Sequence, residues 1–194
     1  MSEELAHKLN NFATKGYVIA PAGYGKTHLI ALAVKASTKR QLVLTHTFAG
    51  VNSIKTKMTA LGVPSSKYHI DTIASWSLRL CLAYPKNSGW KAEHPTGKQW
   101  NKLYACCSWL LGKQFARRVV AATYAGVYVD EYQDCSELQH SLVCALGEFL
   151  PCRILGDPMQ AIFDFGVDEG KPVDWEVSVY PTFTCLGQLE RPWR

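Results

Sequence analysis

No stretch of this 194-residue sequence is apolar for long enough to cross a bilayer, which takes roughly 20 consecutive residues. The opening Met1-Ser2-Glu3-Glu4 is acidic and polar, and reads as neither a secretory signal nor a transit peptide. None of the seven cysteines has CxxC spacing, and Cys106 and Cys107 are adjacent. An odd number of thiols on apolar stretches predicts reduced core cysteines in a cytoplasmic protein, not zinc ligands or disulfides. There is no internal repeat and no low-complexity tract. The balance of 47% hydrophobic and 19% charged residues is that of a soluble globular domain, long enough to bury a sizeable core. A net charge of +5 is compatible with a polyanionic partner without requiring one.

What is present centres on residues 18–27, Val-Ile-Ala-Pro-Ala-Gly-Tyr-Gly-Lys-Thr. A β-prone run at 16–20 feeds a glycine-bearing loop that ends in Gly25-Lys26-Thr27. An amphipathic helix with Leu29, Ile30, Leu32 and Val34 follows. Strand, loop and helix in this order are the context of a P-loop. Backbone N–H groups of Ala22, Gly23, Tyr24 and Gly25 would curl round a β-phosphate, and the helix N-terminus adds its positive dipole end. Lys26 would reach the β- and γ-phosphates, and the Thr27 hydroxyl would ligate Mg²⁺. Ala20 stands where the first glycine of the motif is usual. The plainer reading, a βα turn with no ligand, fits Gly-Lys-Thr at a helix start poorly.

Residues 3–14 read as a short amphipathic helix, with Leu5, Leu9 and Phe12 on one side. The P-loop helix runs to about residue 35, with a buried-type strand at 41–45 and a helix at 51–61. A short strand at 67–71 leads into a helix at 74–84. Residues 85–97 are rich in Pro, Asn, Ser, Gly and His and read as an exposed loop. Helices are expected at 99–111 and 114–122, so that 85–124 forms a helical insertion on the main domain. A strand at 126–129, a helix at 136–149, a strand at 153–155 and a turn at 156–158 follow. After residue 165 the pattern loosens, with a last strand at 183–189. Strands alternating with helices predict an α/β fold, a mostly parallel sheet with helices on both faces.

Tyr128-Val129-Asp130-Glu131-Tyr132-Gln133-Asp134 places carboxylates at the end of a β-branched strand. In a P-loop sheet such a strand end faces the phosphates. There Asp130 would hold the Mg²⁺ hydration shell, and Glu131 would accept a proton from an attacking water. The plainer reading is an acidic turn before a helix. A P-loop about a hundred residues upstream weighs against it.

These residues together resemble the first RecA-like domain of a superfamily 1 DNA helicase of the UvrD/Rep type. Residues 130–134 match the DExQD box, and Gly156-Asp157-Pro158-Met159-Gln160-Ala161-Ile162-Phe163 matches the third motif. Val43-Leu44-Thr45-His46-Thr47, with Ile54, Lys57 and Met58, resembles motif Ia, and Thr72-Ile73-Ala74-Ser75, with Leu78 and Arg79, the Thr-Phe-His-Ser box. Leu189-Glu190-Arg191-Pro192-Trp193-Arg194 resembles the opening of motif IV. The resemblance implies a P-loop NTPase spanning residues 1–194, with ATP and Mg²⁺ as ligands. It implies Gln160 as γ-phosphate sensor, Trp193 stacked on the base and Arg194 on the γ-phosphate. A second RecA-like domain, carrying a further arginine, is absent from these residues. No glutamine motif precedes the P-loop, His46 and Ala74 replace residues that usually face DNA, and Gly166 stands where arginine is common.

For single-stranded DNA the family's positions are His46, Thr47, Phe48, Thr72, Ser75 and Phe165, with Phe165 the leading stacking candidate and both Phe48 and Phe165 balanced between stacking and core. Trp76 and Trp109, on apolar helices, are expected in the core. Arg117-Arg118 and the lysines of 91–102 are expected on solvated surface. The resulting expectation is the ATP-binding motor half of a DNA helicase or translocase. A stand-alone P-loop NTPase, or a nucleotide-dependent regulatory or defence subunit, is the alternative. A small-molecule kinase fits poorly, since 157–170 is acidic and aromatic where an arginine-rich lid belongs.

Overall fold

The computed structural model describes residues 2–21, 23–160 and 171–189. The strands β1 (Lys15–Ile19), β2 (Gln41–Thr45), β3 (Tyr68–Thr72), β4 (Val127–Val129), β5 (Cys152–Gly156) and β6 (Thr184–Gln188) form a six-stranded sheet in the order β3-β2-β4-β5-β1-β6. All pairings are parallel, and Leu44, Val129 and Ile154 lie abreast across its centre. β2, β4 and β5 are buried at every residue, as strands covered on both faces must be.

Two apolar cores follow from the period-2 alternation of these strands. Leu42, Leu44, Val127, Val129 and Ile154 face one layer, made by α4 (Ile73–Ala83), α6 (Gln99–Leu111) and α8 (Glu137–Gly147). Val18, Val43, Tyr128 and Leu155 face the other, made by α1 (Ser2–Asn11), α2 (Lys26–Ala36) and α3 (Phe48–Ala60). Arg153 ties the second layer down: its buried guanidinium donates to the carbonyls of Leu9, Asn10 and Phe12 at 2.7–2.9 Å, satisfying the end of α1.

Within 85–124, a short helix α5 (Pro85–Ser88) begins the stretch read as loop, and Trp90 is buried just beyond it. α6 then packs between α4 and α8, with Leu103, Cys107 and Leu111 in the same core as Leu42 and Val129. α7 (Gln114–Thr123) returns the chain to β4. Trp109 corrects its expected placement. It is 63% exposed, because a residue two positions from buried Cys107 points to the opposite side of α6, and Lys113 lies 3.8 Å from its ring centroid. Trp76 is buried as expected. All seven cysteines are free thiols. No described helix is long and apolar enough to cross a membrane.

Residues 175–179, in the region without clear periodicity, form a π turn, Trp175–Val179. Asp174 caps it, accepting from the N–H groups of Glu176 and Val177 at 2.9 and 3.1 Å. Trp175 meets Tyr17 and Tyr132 edge-on, which seats the turn against the sheet.

Candidate functional site

The carboxyl ends of β1, β2, β4 and β5 open on the same edge of the sheet, where parallel α/β proteins bind ligands. The N–H of Ala20 donates to Gly156 O at 2.9 Å, anchoring the loop that leaves β1. Gly23 and Gly25 then adopt φ of 77° and 88°, the left-handed region that a side chain would strain. Gly25 precedes α2 and supplies no side-chain cap, so the first turn of that helix offers its N–H groups to the cleft.

Lys26 is 5% exposed and folds back, its Nζ 3.1 Å from Ala20 O and 3.2 Å from Glu131 Oε2. Thr27 Oγ1 donates to Asp130 Oδ2 at 2.9 Å. Asp130 is buried, and its N–H is held by Leu44 O. Burial first, then the neighbouring Glu131 charge, pushes its carboxyl up to about 6, against the opposing pull of Thr27 and Lys26. Glu131 is the one described non-glycine residue with positive φ, 54°, a strained conformation of the kind found at functional sites.

Gln133, within the DExQD box, has a role that its sequence position alone does not reveal. Its Nε2 donates to Glu131 Oε2 at 2.8 Å, and its Oε1 accepts the Asp157 N–H at 3.0 Å, joining the ends of β4 and β5. A Cβ on Gly156 would stand 2.9 Å from that Oε1 and 2.8 Å from the Trp175 ring, so only glycine leaves room for the link. Gln160 closes the turn after β5 through its N–H to Asp157 O, and no described contact joins its side chain to Lys26, Thr27, Asp130 or Glu131.

Three cavities with shared walls run along this edge. One of about 290 Å³ is bounded by Gly23, Gly25, Lys26, Thr27 and Glu131, with His28, Ser53 and Lys57 added by the fold. Of these three, only Lys57 belonged to a recognised motif. The second, of about 340 Å³, shares Thr27 and Glu131 with the first and reaches Asp130, His46 and Asp134. The third, of about 620 Å³, shares His46, Thr47 and Asp134 with the second and extends to α6.

The residues expected to meet a strand divide into two kinds. Thr47 and Thr72 are helix N-caps, accepting from the N–H groups of Gly50 and Ser75 at 3.0 Å each, and Thr72 is buried. Ser75 is half-buried in the first turn of α4. Half-buried His46 has Nε2 3.5 Å from Cys135 Sγ, and burial lowers its imidazole to about 4. Phe48 is 71% exposed, which rules out core packing for its ring. Arg79 of α4 pairs with Asp71 at the end of β3. Ala22, Phe165, Trp193 and Arg194 lie outside the described residues.

A family model described as an AAA domain matches residues 6–166, most of the chain. No curated protein matches the sequence. Among solved structures, the fold is similar to arterivirus nonstructural protein 10, a helicase, in complex with DNA. The TM-score is 0.51 at 15% identity, over 95% of this chain and 37% of the viral one. The same helicase without DNA gives 0.52 at 14% identity, over 95% and 36%. The chain thus spans little more than a third of the helicases it resembles. The family match and the parallel sheet with its P-loop agree. The chain belongs to the AAA domain family, and its fold is similar to that of the arterivirus helicase.

Proposed function

We propose that the chain is the ATP-binding motor half of a DNA helicase or translocase, coupling Mg-ATP hydrolysis to movement on single-stranded DNA. The observation that carries this reading is the connected set Thr27–Asp130 and Lys26–Glu131–Gln133–Asp157, which joins the loop after β1 to the ends of β4 and β5. The arterivirus helicase of similar fold was solved with DNA, which supports a nucleic-acid partner.

Lys26 is the phosphate-holding cation, and its pairing with Glu131 means that nucleotide and carboxylate compete for it. When phosphates draw Lys26 away, Glu131 is left with Gln133 as its partner and is free to take a proton from water. Asp130 and Thr27 would hold the magnesium ion. They fit it, being an oxygen pair 2.9 Å apart with a buried carboxyl raised to about 6, whose charge calls for a cation. When bound, magnesium supplies positive charge to the phosphate oxygens. Ala22, Gly23, Tyr24 and Gly25 would bind the phosphate chain, Trp193 the base, and Gln160 and Arg194 the γ-phosphate.

The test is steady-state ATP hydrolysis and nucleotide binding by wild type and Glu131→Gln, with and without single-stranded DNA. The variant keeps the shape but cannot accept a proton, so binding survives while turnover falls on the order of 10²–10⁴-fold. Undiminished turnover would place the base elsewhere, and a wild-type chain that binds nucleotide but no single-stranded DNA would favour a stand-alone nucleotide switch.

A further inference from the structure

We propose that the exposed face of α7 docks an acidic amphipathic helix of a partner protein. None of the residues on this face belongs to the nucleotide site or to the positions given to the strand. α7 turns Ala116 and Val120 into the core. Phe115, Val119 and Ala122, at i, i+4 and i+7, form a second apolar stripe, and this one faces solvent. Phe115 is 36% exposed and Val119 41%. Tyr84 meets the Phe115 ring edge-on, with 5.3 Å between centroids, which holds that ring in place. Exposed Trp109 stands just before the turn into α7, where Lys113 reaches its ring. Three of the seven large apolar side chains exposed among the described residues thus fall between 109 and 119. Such clustering marks an interaction surface, where scattered apolar residues would not.

Charge identifies the occupant. Residues 85–124 carry seven lysines and arginines against one glutamate, a net +6 in a chain of +5, which leaves the rest of the molecule at −1. From residue 94 to residue 129 there is no acidic side chain. Arg118 is exposed one position before Val119, on the flank of the stripe. Arg117 turns inward instead and donates to Leu111 O at 2.9 Å. The occupant must therefore bring apolar groups for the stripe and carboxylates beside them. A nucleic acid has the charge without the apolar surface. Val119 and Ala122 give a base no ring to stack on and a phosphate no donor. A second copy of this chain would bring the same basic face and be repelled by it. A helix with leucines at helical spacing and glutamates alongside supplies both requirements.

The experiment uses the chain as it stands and three fluorescein-labelled synthetic peptides. One is a helix with a leucine stripe flanked by glutamates, one has lysines in place of the glutamates, and one scrambles the first. Anisotropy gives their affinities for wild type, for Arg118→Glu and for the double variant Phe115→Ser, Val119→Ser. Wild type should bind the glutamate helix at least about 10-fold more tightly than either other peptide, and the double variant should lose about 5- to 30-fold. Arg118→Glu should weaken the glutamate helix and strengthen the lysine helix, a reversal that misfolding would not produce. Equal affinity for the glutamate helix and its scrambled form, or no binding of either, would overturn the docking face. A single-stranded oligonucleotide bound by wild type and lost in the double variant would give the stripe to nucleic acid and overturn it too. Sedimentation showing a wild-type dimer that the double variant abolishes would give the stripe to a second copy, with the same consequence.

Discussion

Lys26 holds Ala20 O and the Glu131 carboxylate with one ammonium group, and a nucleotide must outcompete both. Its loss removes a buried charge-assisted contact, for which roughly 1.5–3 kcal/mol is usual. Lys26→Ala should therefore weaken binding of a fluorescent ATP analogue with Mg²⁺ by about 10- to 150-fold, and equal affinity would make the loop a structural turn. His46 gives a prediction in pH. Its folded pKa of about 4 lies below the ordinary 6.5, so between those values the unfolded chain binds more protons. Stability is therefore lost as pH falls from about 6.5 toward 4. Burial holds His28, His69 and His140 down in the same direction. Asp130, raised from 3.8 to about 6, has the opposite sign over an overlapping window and favours the fold as pH falls. His46→Gln removes only the histidine's share, so its Tm should fall less between pH 7 and pH 5 than that of wild type. Parallel slopes would put the imidazole in solvent.

At the scale of elements, Thr72 does for α4 what Thr47 does for α3: the hydroxyl fills an N–H that the helix cannot. Thr72→Ala should cost about 1 kcal/mol by chemical denaturation, and Thr72→Ser should restore most of it. A variant of unchanged stability with weakened strand binding would return Thr72 to the strand. β2 and α6 occur at the very residues that periodicity and breakers marked, 41–45 and 99–111, because each buries a face regular enough to show locally. The turn at Trp175–Val179 shows no such pattern, because its support comes from Tyr17 and Tyr132 in distant parts of the chain. Trp109 departs from its expected place for a related reason: an apolar helix does not say which of its apolar residues lies outside the buried arc.

For the whole molecule, the cations bounding the phosphate cavity among the described residues are Lys26 and Lys57, with no arginine. Arginines that meet the transferring phosphoryl group contribute about 10³–10⁵ in rate in such enzymes. We propose that a second RecA-like domain supplies one. Residues 1–194 alone should then bind nucleotide, hydrolyse it slowly and separate no strands. Steady-state hydrolysis beside a strand-separation assay checks this, and fast DNA-stimulated turnover by these residues would overturn it.

The sequence by itself determined the parallel α/β class, the P-loop and the acidic strand end. Alternating strands and helices, Gly25-Lys26-Thr27 at a helix start and Asp130-Glu131 after β-branched residues are local patterns whose physics needs no distant partner. Only the tertiary structure decided that Lys26 rests on Glu131, that Gln133 bridges Glu131 to the Asp157 N–H, and that Ser53 and Lys57 wall the cleft. It also decided that α6 stands beside His46 and Asp134 to enclose a cavity of about 620 Å³. The physical reason is that a parallel sheet brings strand ends together across crossovers of many residues, and the side chains that meet there carry no trace of one another in the order of the chain.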